Sequence, residues 1–283
     1  MPAGQALVLG GGGVAGIAWT TGLLAGLAEA GQDVTGADLI VGTSAGAAVA
    51  AQLGSGLSLA ALFARQAEPA LQARELVAEL DLQKVAAEFG ELMSGVTSAQ
   101  DAQRRIGAYA LAADTVPEAE RRAVISARLP SPDWPARRML LVAVDAESGE
   151  MRVFDRESGV SLVDAVAASC AVPGVWPPVT IGEHRYVDGG VRSGENADLA
   201  AGCGRIVVIS PLGYDSALPS PMPLRRVVGE LRSDGSAVTV IAPDEASAAA
   251  IGLNPLDPAT RTPAAHAGRA QGRAGLPGGV SDD

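Results

Sequence analysis

The chain has 283 residues, 48% of them hydrophobic, with a formal net charge of −11, enough apolar content for one large core or two small ones. Lys84 is the only lysine, and so acidic a chain excludes nucleic-acid binding by phosphate neutralisation and simple electrostatic attraction to anionic lipid; any peripheral membrane contact has to come from apolar surface. No apolar stretch reaches the roughly 18 residues of a membrane span, the N-terminus has no basic signal-peptide region, and Cys170 and Cys203 are too few for a disulfide framework, so a cytoplasmic location is expected.

Residues 6–10 read as a buried strand that runs into Gly10-Gly11-Gly12-Gly13-Val14-Ala15-Gly16. Residues 16–30 read as a helix with Gly31 as its C-cap. Residues 39–42 form a second strand leading into Gly42-Thr43-Ser44-Ala45-Gly46, and 44–53 an alanine-rich helix whose small side chains allow close packing. Residues 58–128 read as all-helical, with Leu76, Leu80, Phe89, Leu92, Met93 and Val96 near helical spacing, and Pro117 in the first turn of a further helix. The β signal returns at 139–144, and a turn at 147–150 leads to a strand at 151–154. A helix near 161–170 precedes the proline-rich loop 172–178, where Trp176 fits a pocket entrance and plain packing equally well. Residues 179–187 read as a tight hairpin ending in Asp188-Gly189-Gly190, and 205–209 and 237–241 as buried strands. Strands alternating with helices predict an α/β protein with a mostly parallel sheet. No internal repeat is present. After about Asn254 the chain is rich in Gly, Ala, Pro and Arg and reads as a loosely packed tail. The expected organisation is one domain over 1–253, with a helical, cap-like insertion at about 58–128, and a tail over 254–283.

Gly42-x-Ser44-x-Gly46, between an apolar strand and a helix, has the context of a nucleophile elbow. Gly42 and Gly46 have no Cβ, so the tight turn can form, and the helix dipole lies near the serine oxygen. The alternative is that Thr43 and Ser44 only N-cap the helix. A serine nucleophile needs a base, and the chain has two histidines: His184 in the hairpin and His266 in the tail. The order Ser44–Asp188–His266 matches an α/β-hydrolase triad, but that fold has several strands before its nucleophile, and here one precedes the elbow strand. A Ser44–Asp188 pair is more economical, since Asp188 ends a β segment beside two glycines. The rival reading of Asp-Gly-Gly is a hairpin turn.

The glycine loop offers backbone N–H groups to an oxyanion, and an oxyanion hole needs two or three aimed at one point. Gly11-x-Gly13-x-x-Gly16 also matches a dinucleotide fingerprint, which requires a carboxylate at the end of the second strand. That strand ends in Gly42-Thr43-Ser44, while Asp33 and Asp38 precede it. An NAD(P)-binding protein and a non-catalytic lipid-binding protein therefore stand as alternatives to acyl transfer.

The glycine-rich loop, early Gly-Thr-Ser-Ala-Gly and late Asp-Gly-Gly, in that order, together with Ala168–Pro178 leading to Tyr186-Val-Asp-Gly-Gly-Val191, resemble the patatin-like phospholipase family over roughly residues 5–210. The resemblance implies a three-layer α/β/α sandwich with a helical insertion, a Ser–Asp dyad, and hydrolysis of lipid acyl esters (phospholipase A, lysophospholipase or esterase) without calcium, another metal or a cofactor. On that resemblance Ser44 is the nucleophile, Asp188 the base, and Gly11, Gly12 and Gly13 the oxyanion hole. Gly16, Gly42, Gly46, Gly189 and Gly190 support the motifs. The chain departs from the family pattern at Ala15, where Lys or Arg is frequent, and after Gly190, where Val191-Arg-Ser-Gly-Glu-Asn-Ala replaces Asn-x-Pro. Arg192 is a candidate for the missing charge.

Overall fold

The computed structural model of the chain describes residues 3–78, 90–215 and 221–276. Among them, eight strands form one sheet: β1 (Gln5–Leu9), β2 (Leu39–Thr43), β3 (Arg138–Asp145), β4 (Met151–Phe154), β5 (Val179–Ile181), β6 (His184–Asp188), β7 (Arg205–Ile209) and β8 (Ala237–Ile241). The centre is parallel, in the order β3-β2-β1-β7-β8, while β4, β5 and β6 pair antiparallel at the β3 end. Strands such as Ala-Leu-Val-Leu and Leu-Ile-Val are apolar throughout because a parallel strand is covered on both faces.

The period of two sorts these side chains into two layers. Leu7, Leu9, Ile40, Leu141, Val207 and Ile209 face one side. There they meet α1 (Gly13–Glu29), α2 (Ala45–Leu53), α3 (Leu59–Ala67), Ile125 of the insertion and residues 162–168. Ala6, Val8, Leu39, Val41, Val142, Ile206 and Val208 face the other side, against Leu224, Val227, Val228 and Leu231. The result is the expected three-layer α/β/α sandwich. Further helices among the described residues include α4 (Ala99–Ala112), α5 (Glu118–Arg128), α6 (Leu162–Ser169), α7 (Leu224–Ser233), α8 (Glu245–Ile251) and α9 (Arg261–Arg273). No helix among the described residues is long and apolar enough to cross a membrane.

Two sequence expectations need correction. The segment read as a loose tail contains α9, which packs along α1 and buries Ala264 and Ala265. Its glycines are contact points: a Cβ at Gly268 would lie 2.2 Å from Trp19 O, and one at Gly22 of α1 would lie 2.1 Å from Ala265 O. Small residues that suggest a linker in isolation here let two helix backbones approach. Second, the insertion is not helical throughout. Residues 72–78 have no helix or strand, so Leu76 lies in an irregular segment. Leu92 and Met93 pack beside Ile106, Ala110, Val144 and Val187. Leu80 and Phe89 lie outside the described residues.

Candidate active site

The register of β3 explains how Ser44 and Asp188 meet. Val142 pairs with Thr43 of β2 on one edge and Val153 of β4 on the other. The next residue, Ala143, pairs with Asp188 of β6 and Arg152 of β4. A strand residue has only two edges, so β2 and β6 lie in tandem along the same edge of β3. Since β2 runs parallel and β6 antiparallel to β3, their C-terminal ends meet head to head. Thr43 and Asp188 therefore stand opposite consecutive residues.

Ser44 occupies the left-handed region, with φ 54° and ψ −118°, a backbone state that costs about 1–3 kcal/mol for a residue with a side chain. Three contacts hold it. Its N–H donates to Ser169 Oγ at 3.0 Å, its carbonyl accepts from Cys170 Sγ at 3.1 Å, and Gly46 N–H donates to Gly10 O at 3.0 Å. Gly46 packs so tightly on β1 that a Cβ there would lie 1.9 Å from Leu9 O. Ser44 precedes α2, yet its side chain makes no capping bond, whereas Ser58, Ser98, Ser161 and Asp244 cap their helices in the ordinary way. The N-cap reading of the Ser44 hydroxyl therefore fails. Burial pushes the Cys170 thiol up to about 12, so it stays protonated beside the serine.

Asp188 is buried at the end of β6. Its N–H donates to Ala171 O at 3.0 Å, and its Oδ1 accepts from Gly190 N–H at 2.7 Å, which caps the turn Gly189–Val191. Oδ2 is buried with no hydrogen-bond partner among the described residues. Burial raises the carboxyl to about 6, against the opposing pull of the nearby Ser44 hydroxyl and the Gly190 N–H.

Asn196, which the sequence reading did not single out, ties the two ends together. Its Nδ2 donates to Thr43 Oγ1 at 3.0 Å, Ser193 O at 2.8 Å and Gly189 O at 3.3 Å. It thus joins the residue before Ser44 to the residue after Asp188. Its own backbone is left-handed, φ 51°, a state asparagine tolerates. The signal was its place in the stretch that replaces Asn-x-Pro. Arg192 fixes Asn196 Oδ1 at 2.7 Å and pairs with Asp198, so it is engaged in holding this loop.

The glycine loop lies against the elbow. A Cβ at Gly11 would approach Ser44 Cβ to 3.5 Å, and Gly16 in the first turn of α1 faces Pro211 and Ala45. Gly11 N–H donates to Gly194 O at 2.9 Å. Among the described residues, the N–H groups of Gly12, Gly13 and Ala45 have no acceptor. Ala45, directly after the serine, was not among the expected donors.

Neither histidine contacts the pair. His184 Nδ1 bonds Asp145 Oδ2 at 2.8 Å, and His266 is exposed and packs edge-on against Phe63. The dinucleotide reading loses its carboxylate: Asp33 bonds Thr35 and Asp38 bonds Gln5, both on the chain before β2. Among the described residues, no group of three or more His, Cys, Asp or Glu is arranged to hold a metal.

Ser44 opens on a cavity of about 20 Å³. Its walls include Gly13 and Ala45 beside the serine, Arg121 and Arg128 from the insertion, and Glu75 and Trp176. Trp176 is buried and lies under Arg121, 3.8 Å from ring centroid to guanidinium, so it both packs and lines the site. That is room for about one water.

A family model described as Patatin-like phospholipase matches residues 7–201. No curated protein matches the chain. Among solved structures, VipD from Legionella pneumophila aligns with 14% identity and a TM-score of 0.44 over 96% of this chain and 66% of its own. The type III effector protein ExoU aligns with 17% identity and a TM-score of 0.38, over 96% of this chain and 53% of that one. ExoU from Pseudomonas aeruginosa in complex with SpcU gives 19% identity and a TM-score of 0.36, over 94% and 52%. The chain thus spans between half and two-thirds of the length of these proteins.

Proposed function

The chain belongs to the patatin-like phospholipase family, and on that premise we propose that it is a lipid acyl hydrolase that cleaves carboxylic esters through Ser44 and Asp188. The observation that carries this reading is the meeting of a strained, uncapped serine with a buried carboxylate whose Oδ2 is unpartnered.

Asp188 takes the hydroxyl proton as Ser44 Oγ attacks the ester carbonyl carbon. The carbonyl oxygen gains the charge and is met by the N–H groups of Gly12 and Gly13, joined by that of Ala45. Gly11, whose N–H is engaged by Gly194, brings its backbone against the serine and donates only if that bond opens. As the tetrahedral intermediate collapses, the C–O bond to the alcohol breaks and Asp188 returns the proton to the leaving oxygen. A water then attacks the acyl–serine ester and gives its proton to Asp188. The fatty acid leaves, and Ser44 recovers its proton.

A lipid substrate fits the family and the apolar walls Val14, Ile17, Val172 and Leu256. A fluorophosphonate probe with an alkyl chain tests the assignment. Phosphonylation of Ser44, located by mass spectrometry, with parallel loss of p-nitrophenyl ester hydrolysis is the expected outcome. A label on another residue, or turnover by the labelled protein, overturns it.

The pH profile is a second expected result. Asp188 acts only when ionised, and burial places its pKa at about 6. The kcat/KM for a neutral ester should fall about tenfold per pH unit below that value and level off above it. A profile flat from about pH 5 to about pH 8 removes Asp188 as the base.

A further inference from the structure

A second group of charges borders the Ser44 cavity and has no part in the proton transfers above. Arg121 and Arg128 of α5 and Arg261 at the start of α9 converge on Glu75. Arg121 Nη1 lies 2.6 Å from Glu75 Oε1, Arg128 Nη2 bonds Oε2, and Arg261 Nη2 lies 3.5 Å from Oε2. All four side chains are at most 8% exposed. Three guanidiniums against one carboxylate leave a formal excess of two positive charges in a buried place. Among the described residues, the Nε of each arginine has no acceptor. Buried charge left so under-matched is expensive, and it points to an anion with more oxygens than one carboxylate provides.

The position of Glu75 strengthens this reading. Arg121, Arg128 and Glu75 line the same small cavity as Ser44, so the carboxylate occupies space next to the serine. It is carried by residues 72–78, which have neither helix nor strand. Among the described residues, their other ties are Gln72 N–H to Pro69 O at 3.4 Å, Gln72 Nε2 to Gln66 O at 2.6 Å and to Thr262 Oγ1 at 2.9 Å, Arg261 Nη1 to Ala73 O at 2.8 Å, and the local Leu76 N–H to Glu75 Oε1 at 3.2 Å. Burial alone would raise the Glu75 carboxyl, but Arg128 and Arg121 hold it below the usual carboxylate range, so it is an anion in place.

We propose that Glu75 is an internal stand-in for an oxyanion of the substrate or of the released acid, and that Arg121, Arg128 and Arg261 form the seat for a lipid phosphate or carboxylate once the 72–78 segment moves aside. The proposal rests on the assignment of Ser44 as the nucleophile of an ester hydrolase. Two sources share this chemistry, the phosphate of a head group and the carboxylate of a released fatty acid.

The test is binding rather than turnover. Ser44→Ala protein, with and without Glu75→Ala, is titrated calorimetrically with glycerol 3-phosphate and with octanoate. Removing Glu75 frees the seat, so at least one probe should bind about tenfold tighter or better than to the parent. Adding Arg128→Met should abolish the gain. Phosphate-only binding assigns the seat to the head group, octanoate-only binding to the released acid, and binding of both to a general oxyanion seat. If Glu75→Ala fails to fold, millimolar phosphate or octanoate should restore its near-ultraviolet circular dichroism by filling the seat. Neither binding nor anion-dependent folding, or a gain that survives Arg128→Met, overturns the proposal. Because the readout is taken without the Ser44 hydroxyl, a chain that binds the anion but hydrolyses no ester refutes the enzymatic assignment alone.

Discussion

Asp188→Asn is expected to lower kcat for a p-nitrophenyl ester by about 10³–10⁴, and Ser44→Ala to reduce it to background. The amide has nearly the shape of the carboxylate and can keep the Gly190 N–H bond, so the site stays assembled while its base is lost. Stability should move the other way. Burial raises the Asp188 pKa from 3.8 to about 6 in the folded chain, so ionising it costs folding energy. That cost is absent below the unfolded pKa and complete above about 6. At about 1.4 kcal/mol per pKa unit, replacing the carboxylate should stabilise the fold at pH 8 by about 2–3 kcal/mol, with the gain vanishing near pH 4. Urea titrations of wild type and Asp188→Asn at both pH values measure it. A variant that is both inactive and destabilised at pH 8 would mean that Asp188 holds structure rather than a proton.

Gly46→Ala is expected to cost about 3 kcal/mol of stability or to prevent folding, and to remove hydrolysis even where soluble protein is recovered. The added methyl would lie 1.9 Å from Leu9 O and 2.8 Å from Leu9 Cβ. Neither can yield easily, because Leu9 is fully buried at the end of the central strand β1. Relief requires α2 to lift from β1, which breaks the bond from Gly46 N–H to Gly10 O and shifts Ser44 from the glycine loop. Ala47→Gly, one residue further along α2, is the comparison: it adds no atom and should cost about 1–2 kcal/mol through helix propensity and the loss of one buried methyl. Equal losses in the two variants would show that close packing on β1 is not what positions the elbow.

Much of the fold was legible because it is written in local periodicity. The apolar runs at 6–10, 39–42, 139–144, 205–209 and 237–241 fall on the sheet strands β1, β2, β3, β7 and β8, and the segments after Gly10–Gly16 and Gly42–Gly46 are the helices α1 and α2. The tail was misread for a physical reason. Gly268 and Gly272 look like flexibility until α1 lies close enough to use the missing side chains. The apolar spacing at Leu76 predicts helix where the structure has an irregular stretch at 72–78, because spacing does not report the contacts that three distant arginines make with Glu75.

The same division holds at the candidate site. The α/β class, the tight turn that carries Ser44, the run of backbone N–H groups at the glycine loop, and Asp188 as the residue that ends a strand beside two glycines are all legible in the sequence alone. Each is a property of a few consecutive residues, set by allowed dihedrals and side-chain period. Packing of distant segments is what puts β2 and β6 on one edge of β3 so that Thr43 and Asp188 abut, lets Asn196 join them, bonds Gly11 to Gly194, and sets Glu75 among Arg121, Arg128 and Arg261 beside the serine cavity. These depend on register and on contacts between residues far apart in the chain, and no local rule encodes them. They arise when the sheet and its two covering layers are packed together.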